Sequence, residues 1–290
     1  MESAIERVTG TVLAALDCGG AVDATALTFL LRRFRETDRD DLRTALEPAL
    51  AAGLERQATA ETIADRAAWL TLFAEVLTVS ADRRLLDAAT TLLGSLRGDW
   101  GRTAEVEDAS VSIDASLRAC GVLDLPSIAP DAVDELERIV AAVYRPGQGL
   151  AHSVHDRGHA TGRLADHIAL SSALLTAYQI SGRLPYSMLA EELVQIARRT
   201  HWSDLAGCFE TTLVDRQDAF RLNCEASRVL CRLAALHNDQ AYRAAAVIRA
   251  DAAYADDADR ILRAQESVSR EYGVQSAAYG LALSERLALG

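Results

Sequence analysis

The chain has 290 residues, half of them hydrophobic but only 5% aromatic, with five prolines and a net charge of −12. All thirty basic residues are Arg, which excludes a Schiff-base or phosphate-loop lysine, and the acidic balance argues against nucleic acid or an anionic membrane as partner. No stretch approaches the run of about eighteen apolar residues that a membrane span needs.

The opening residues MESAIERVTG carry acids where a signal peptide has a basic segment, so none is expected. Five scattered cysteines (Cys18, Cys120, Cys208, Cys224 and Cys231) form no CxxC pair, and reduced thiols in a cytoplasmic protein are the expectation. The Ala- and Leu-rich composition favours helix throughout, because these side chains lose little entropy on entering one.

In chain order, FLLRRFRETDRDDLRTALEPALAAG reads as two helices broken at Thr37–Asp38, within a trimmed first hairpin region 1–57. LFAEVLTVSADRRLLDAATTLLGSLR breaks at Ala81–Asp82, with Leu86, Ala89, Leu93 and Leu96 as a helical stripe. VEDASVSIDASLRACG and PDAVDELERIVAAVY form a third pair, with Val133, Leu136, Ile139, Val140 and Val143 on one face. LLTAYQISGRLPYSMLAEELVQIARR breaks at Gly182–Arg183 and VLCRLAALHNDQAYRAAAVIRADA at Asn238–Asp239. ILRAQESVSREYG and VQSAAYGLALSERL close the chain as a sixth pair. Short polar breaks suit antiparallel helix pairs. In most pairs the first helix is apolar nearly all round, as Leu222, Ala226, Val229, Leu233 and Leu236 show, and the second is amphipathic. An inner ring of buried helices inside an outer half-exposed ring predicts that contrast. The expected fold is a single all-α domain over 1–290, an (α/α)6 toroid of about twelve helices.

Residues 151–167, AHSVHDRGHATGRLADH, hold four of the six histidines: His152, His155, His159 and His167. The first three have spacings that could align on one helix face, as zinc ligands do in HExxH proteins. Gly158 and Gly162 interrupt that face and no Glu stands as base, so no metal and no other cofactor is expected. The Asp-rich stretches YADDADR and DRDDL sit at expected hairpin breaks or helix ends and read as solvated turns. Cys224 and Cys231 read as small core residues.

From about residue 150 the chain resembles the helical domain of the YyaL-like, spermatogenesis-associated family, which joins a thioredoxin-like domain to an (α/α)6 toroid. The segments carrying the resemblance are HSVHDRGHATGRLADHIALSSALLTAYQISG, HWSDLAGCFE, RLNCEASRVLCRLAAL and SREYGVQSAAYGLAL. Asn223 falls on a family Asn, and His167 stands where the family has Tyr. The thioredoxin-like portion is missing. The family's His-Phe-Glu segment has no counterpart beyond Asp65 and Trp69 in TAETIADRAAWLTLF. The resemblance implies the six-hairpin toroid shared with sugar epimerases and many glycosidases, and it does not imply an activity.

Polar residues recur where inner helices are expected to begin: Asp65 and Arg66; Glu107 and Asp108; Asp166 and His167; Arg221, Asn223 and Glu225; Glu271 and Tyr272. In a toroid these starts converge on one cavity mouth, where sugar chemistry uses carboxylates or histidines with aromatic stacking surfaces. The expected ligand is a small sugar or polyol. Asp166 is the candidate base or acceptor and His167 the candidate proton shuttle. His152 and His155 lie over the mouth, Asn223 holds the ligand by its amide and Trp202 stacks on it. Arg221, Glu225, Asp65 and Trp69 complete the candidate lining. Against this, acids and amides at helix starts are also ordinary caps, and the rival reading is a non-catalytic helical scaffold that has lost the family's site.

Overall fold

The computed structural model describes residues 1–20, 22–156, 162–211, 214–246 and 252–290. Among the described residues the chain forms thirteen α-helices: α1 (Glu2–Asp17), α2 (Ala24–Thr37), α3 (Asp40–Arg56), α4 (Ile63–Leu77), α5 (Arg83–Asp99), α6 (Val106–Cys120), α7 (Ile128–Val143), α8 (Leu164–Ser181), α9 (Leu184–His201), α10 (Arg216–Asn238), α11 (Gln240–Ala245), α12 (Tyr254–Ser269) and α13 (Ala277–Leu287). The β-structure among those residues is limited to two antiparallel two-stranded ribbons and one isolated bridge. The ribbons are β1 (Tyr144–Arg145) with β2 (Gly149–Leu150) and β3 (Trp202–Ser203) with β4 (Cys208–Phe209). No described helix is long and apolar enough to cross a membrane. The chain divides into two compact units, residues 56–200 and residues 1–55 with 201–290.

In the 56–200 unit, α6 packs against both α4 and α8, with α5 and α7 at its back. The sequence of α6 explains its central place. Ala109, Ser110, Ser112, Ala115, Ser116 and Ala119 are all buried and small, so neighbouring backbones approach closely. Two of the three hydroxyls are absorbed locally: Ser116 Oγ donates to the Ser112 carbonyl at 2.8 Å, and Ser112 Oγ accepts from Trp100 Nε1 at 3.1 Å. The amphipathic α5 buries only one face, including Leu85, Ala89, Leu92, Leu93 and Leu96. Leu86, expected on that stripe, is 39% exposed, because the buried face is centred one residue earlier. The breaks fall where turn chemistry placed them. Asp38 and Gly182 adopt left-handed conformations after α2 and α8, and Asp82 and Asp239 cap α5 and α11.

In the other unit, α13 packs against α2, α10, α12 and α1. Eight consecutive residues of α13, Ala277 to Ser284, are buried, whereas α12 and α1 each bury one stripe. The last pair therefore departs from the order read for most pairs, in which the first helix is the buried one, and agrees with an inner helix following Glu271 and Tyr272. The half-exposed helix precedes the buried one here, and α1 stands before the buried α2 in the same way. A hairpin break marks a turn, not which of its helices is covered. YADDADR is also no solvated turn. Tyr254 and Asp257 are buried in the first turn of α12, and Asp259 pairs with Arg286 of α13 at 2.9 Å. Likewise Arg221, Asn223 and Glu225 do not start a helix, because α10 begins at Arg216 with Asp215 as its cap. Glu271 and Tyr272 follow α12 instead of opening the last helix.

Candidate active site at the heads of two buried helices

The loop after β2 is tied to the start of α6. Val106 N donates to the His152 carbonyl at 3.1 Å and Val154 N to the Ala104 carbonyl at 2.9 Å. That pairing sets His152 beside the first turn of α8. Its Nδ1 lies 2.9 Å from Asp166 Oδ2 and 3.2 Å from Oδ1. Since a carboxylate only accepts, Nδ1 donates, and in the neutral ring this leaves the lone pair on Nε2. Asp166 is fully buried and also accepts from the backbone N–H of Arg163 at 2.7 Å and of Glu107 at 3.2 Å. One buried carboxylate therefore joins three segments: the His152 loop, the start of α8 and the start of α6. It is held by its donors and positions His152, whose side chain keeps 21% exposure.

His167, the next residue, points elsewhere. It is buried, and its Nδ1 donates to the Arg163 carbonyl at 2.8 Å. Its ring lies against two glycines. A Cβ on Gly149 would stand 2.8 Å from His167 Nε2, and one on Gly162 would stand 3.1 Å from His167 Cε1 and 2.7 Å from the Leu150 carbonyl. Burial lowers the His167 pKa below the ordinary value of 6.5, against the opposing pull of the Arg163 carbonyl and Asp166. The structure thus gives the two candidates different settings: Asp166 orients a half-exposed imidazole, and His167 is packed in the core.

Glu107 and Asp108 are half-buried in the first turn of α6. Burial, helped by the Glu105 charge, raises the Asp108 pKa above the ordinary 3.8. The start of α6 and the His152 loop thus bring together a histidine, its orienting carboxylate and a carboxyl whose pKa burial raises. That is the combination general acid–base chemistry uses.

The remaining candidates are dispersed. His155 is exposed in the same loop, while His159 and Gly158 lie outside the described residues. Asp65 is exposed and accepts from Thr62 Oγ1 at 2.7 Å in the cap of α4, and Trp69 is buried against Phe73 with ring centroids 5.6 Å apart. In the 201–290 segment, Asn223 is committed to structure. Its Oδ1 accepts from Phe209 N and its Nδ2 donates to the Phe209 carbonyl, each at 3.0 Å. Trp202 is edge-on to Phe209 and carries the Arg260 guanidinium over its ring at 4.9 Å. Arg221 is exposed, and Glu225 pairs with Arg228 at 3.0 Å. Arg228 also binds Glu285 at 2.9 Å, which in turn meets Arg32 at 2.7 Å, so α2, α10 and α13 share a charge network. Among the described residues no three His, Cys, Asp or Glu side chains are grouped to hold a metal ion.

One group on α6 escaped the sequence reading. Asp114 accepts from Arg118 Nε at 3.0 Å, Ser172 Oγ at 2.8 Å and Thr176 Oγ1 at 2.5 Å. The visible signal was an i,i+4 Asp–Arg pair on a helix whose residues beyond its acidic first turn are otherwise small or apolar.

The fold defines a class, an all-α (α/α)6 toroid. Solved structures bear out the fold. Unsaturated glucuronyl hydrolase from Bacillus sp. GL1, described as responsible for degradation of glycosaminoglycan, superposes over 99% of this chain and 96% of that one, with TM-score 0.71 and 12% identity. An inactive variant of the α-1,6-mannanase of Salegentibacter sp. HEL1_6, in complex with α-1,6-mannotetrose, matches over 92% and 88%, with TM-score 0.66 and 12% identity. A second inactive variant of that enzyme, with two consecutive Asp→Asn replacements and α-1,6-mannotriose bound, matches 68% of this chain and 59% of that one, at TM-score 0.52 and 14% identity. No family model matches the sequence, and no curated protein matches it.

Proposed function

We propose that the heads of α6 and α8 bind a small sugar or polyol and act on it by acid–base chemistry. His152, oriented by Asp166, serves as base through Nε2; Asp108 serves as proton donor; Glu107 and the exposed His155 contact the ligand. The observation that carries this is the Asp166 carboxylate, which fixes His152 against the start of α6, where Asp108 sits half-buried. The fold's neighbours act on glycans, and the inactive mannanase carries its replacements at consecutive acids. Consecutive acids, Glu107 and Asp108, also stand at the start of α6. The YyaL-like resemblance and a cytoplasmic location, with five free thiols, belong to the same reading.

A scaffold role is the second reading. It is favoured by the structural use of Asn223, Trp202 and Trp69, three of the groups expected to hold a sugar. A thermal-shift and product screen over neutral sugars, sugar phosphates and α-1,6-mannotriose separates the two. Under the sugar reading at least one compound stabilises the wild type and loses its effect in His152→Ala and Asp108→Asn. If no compound shifts the wild type, the scaffold reading stands.

A further inference from the structure

Between Val106 and Cys120, every residue of α6 is buried except Glu107, Asp108, Val111, Asp114 and Arg118. Those five lie three and four apart, so they form one accessible stripe along the helix. On α8, the open positions between Leu164 and Ala177 are Ala169 and Ser172. Ser172 donates to Asp114, so the two stripes lie side by side. Near its far end Arg118 is held in place. Its Nε and Nη2 engage the two oxygens of Asp114 at 3.0 and 3.2 Å, and Ser172 and Thr176 lock the same carboxylate from α8. Each Asp114 oxygen already takes two donors. Arg118 Nη1 has no hydrogen-bond partner among the described residues, and the side chain is 32% exposed.

We infer that Arg118, braced by Asp114, Ser172 and Thr176, is a ligand-contacting residue that takes two neighbouring hydroxyl oxygens of a neutral sugar or polyol. This rests on the sugar reading above and adds its substrate class. A planar guanidinium whose inner edge is fixed presents its outer N–H groups in a set direction, and two adjacent oxygens match that fork where a single point charge does not. Neutrality follows from the charges along the stripe. Asp114 compensates Arg118, and Glu107 and Asp108 lie on the same face, so a carboxylate or phosphate ligand meets no net positive field. Eleven residues of α helix separate Glu107 from Arg118 by about 16 Å, so Arg118 would hold a second sugar unit, apart from the one at His152.

The test compares wild type, Arg118→Met, Arg118→Lys and His152→Ala by calorimetric titration with methyl α-mannopyranoside, mannitol and glucuronate. Unliganded melting is recorded for each protein to establish that it is folded. Arg118→Lys keeps the charge opposite Asp114 and serves where Arg118→Met does not fold. The expected result is that a neutral probe binds wild type and weakens about tenfold or more in both Arg118 variants, the size of a lost hydrogen bond to a charged donor. Glucuronate is expected to bind no more tightly than the neutral probes. Unchanged neutral binding in the Arg118 variants, with loss in His152→Ala, overturns the Arg118 assignment and leaves the sugar reading standing. Glucuronate binding that exceeds the neutral probes and is lost in Arg118→Met overturns the neutral class. If none of the three probes binds wild type, both the sugar reading and this extension fall.

Discussion

Replacing Asp166 with Asn keeps the shape of the side chain and removes one acceptor, so its cost isolates the polar role of that residue. In the wild type, Oδ2 accepts from Arg163 N at 2.7 Å and from His152 Nδ1 at 2.9 Å, while Oδ1 accepts from Glu107 N at 3.2 Å. An amide placed with its NH2 toward Arg163 sets donor against donor at the shortest contact. The flipped amide keeps Arg163 and turns its NH2 toward Glu107 N, leaving a backbone N–H unsatisfied. An unmade bond of that kind costs about 1–3 kcal/mol, and losing the carboxylate's charge-assisted contact to His152 adds about 1 kcal/mol. The expected loss is about 2–4 kcal/mol, larger than the typical ~1 kcal/mol of a simple cap. Urea unfolding at neutral pH, followed by far-ultraviolet circular dichroism, measures it. Asp166→Ala is the reference, because it deletes all three contacts together. A loss below about 0.5 kcal/mol for Asp166→Asn, the range of ordinary surface substitutions, refutes the account of Asp166 as the buried joint between the His152 loop, α6 and α8.

Two further expectations test the packing and the charges. Gly149 has φ +104 and faces His167 Nε2 and Ile196 Cγ2 across a gap that a Cβ would close to 2.8 and 3.1 Å. Gly149→Ala should therefore cost about 2–4 kcal/mol from strain and overpacking, and Gly149→Ala/His167→Ala should cost less than the sum of its single variants, measured by the same unfolding curves. Burial alone would raise the Glu285 pKa, but Arg228 and Arg32 hold it down at about 2 against an ordinary 4.5. A depressed carboxylate contributes stability that is fully present above its unfolded pKa and is lost as pH falls through the folded value. Glu285 should accordingly contribute up to about 3 kcal/mol at neutral pH, lost between about pH 5 and 2. Glu285→Gln should flatten that acid limb in urea midpoints measured from pH 7 to 3, and an unaltered limb would count against the network.

The helices and their breaks were legible in the sequence because both are written within a few residues. Apolar spacing of three and four made α5, α7 and α10 visible, and Asp38, Asp82, Gly182 and Asp239 announced the turns. The acidic starts of α6 and α8, at Glu107, Asp108 and Asp166, were likewise visible in the sequence as helix heads. What the sequence left open is which helix of a pair is covered and what each polar group does. That depends on partners far along the chain. Asp166 became the orienting group for His152 because Glu107, 59 residues away, supplies a backbone donor. His167 was enclosed by Gly149 and Gly162, and Asn223 was taken by Phe209 across 14 residues. Helical period is a local property fixed by backbone geometry. Burial and hydrogen-bond assignment are settled only when separate segments meet, so these roles were decided by tertiary packing alone.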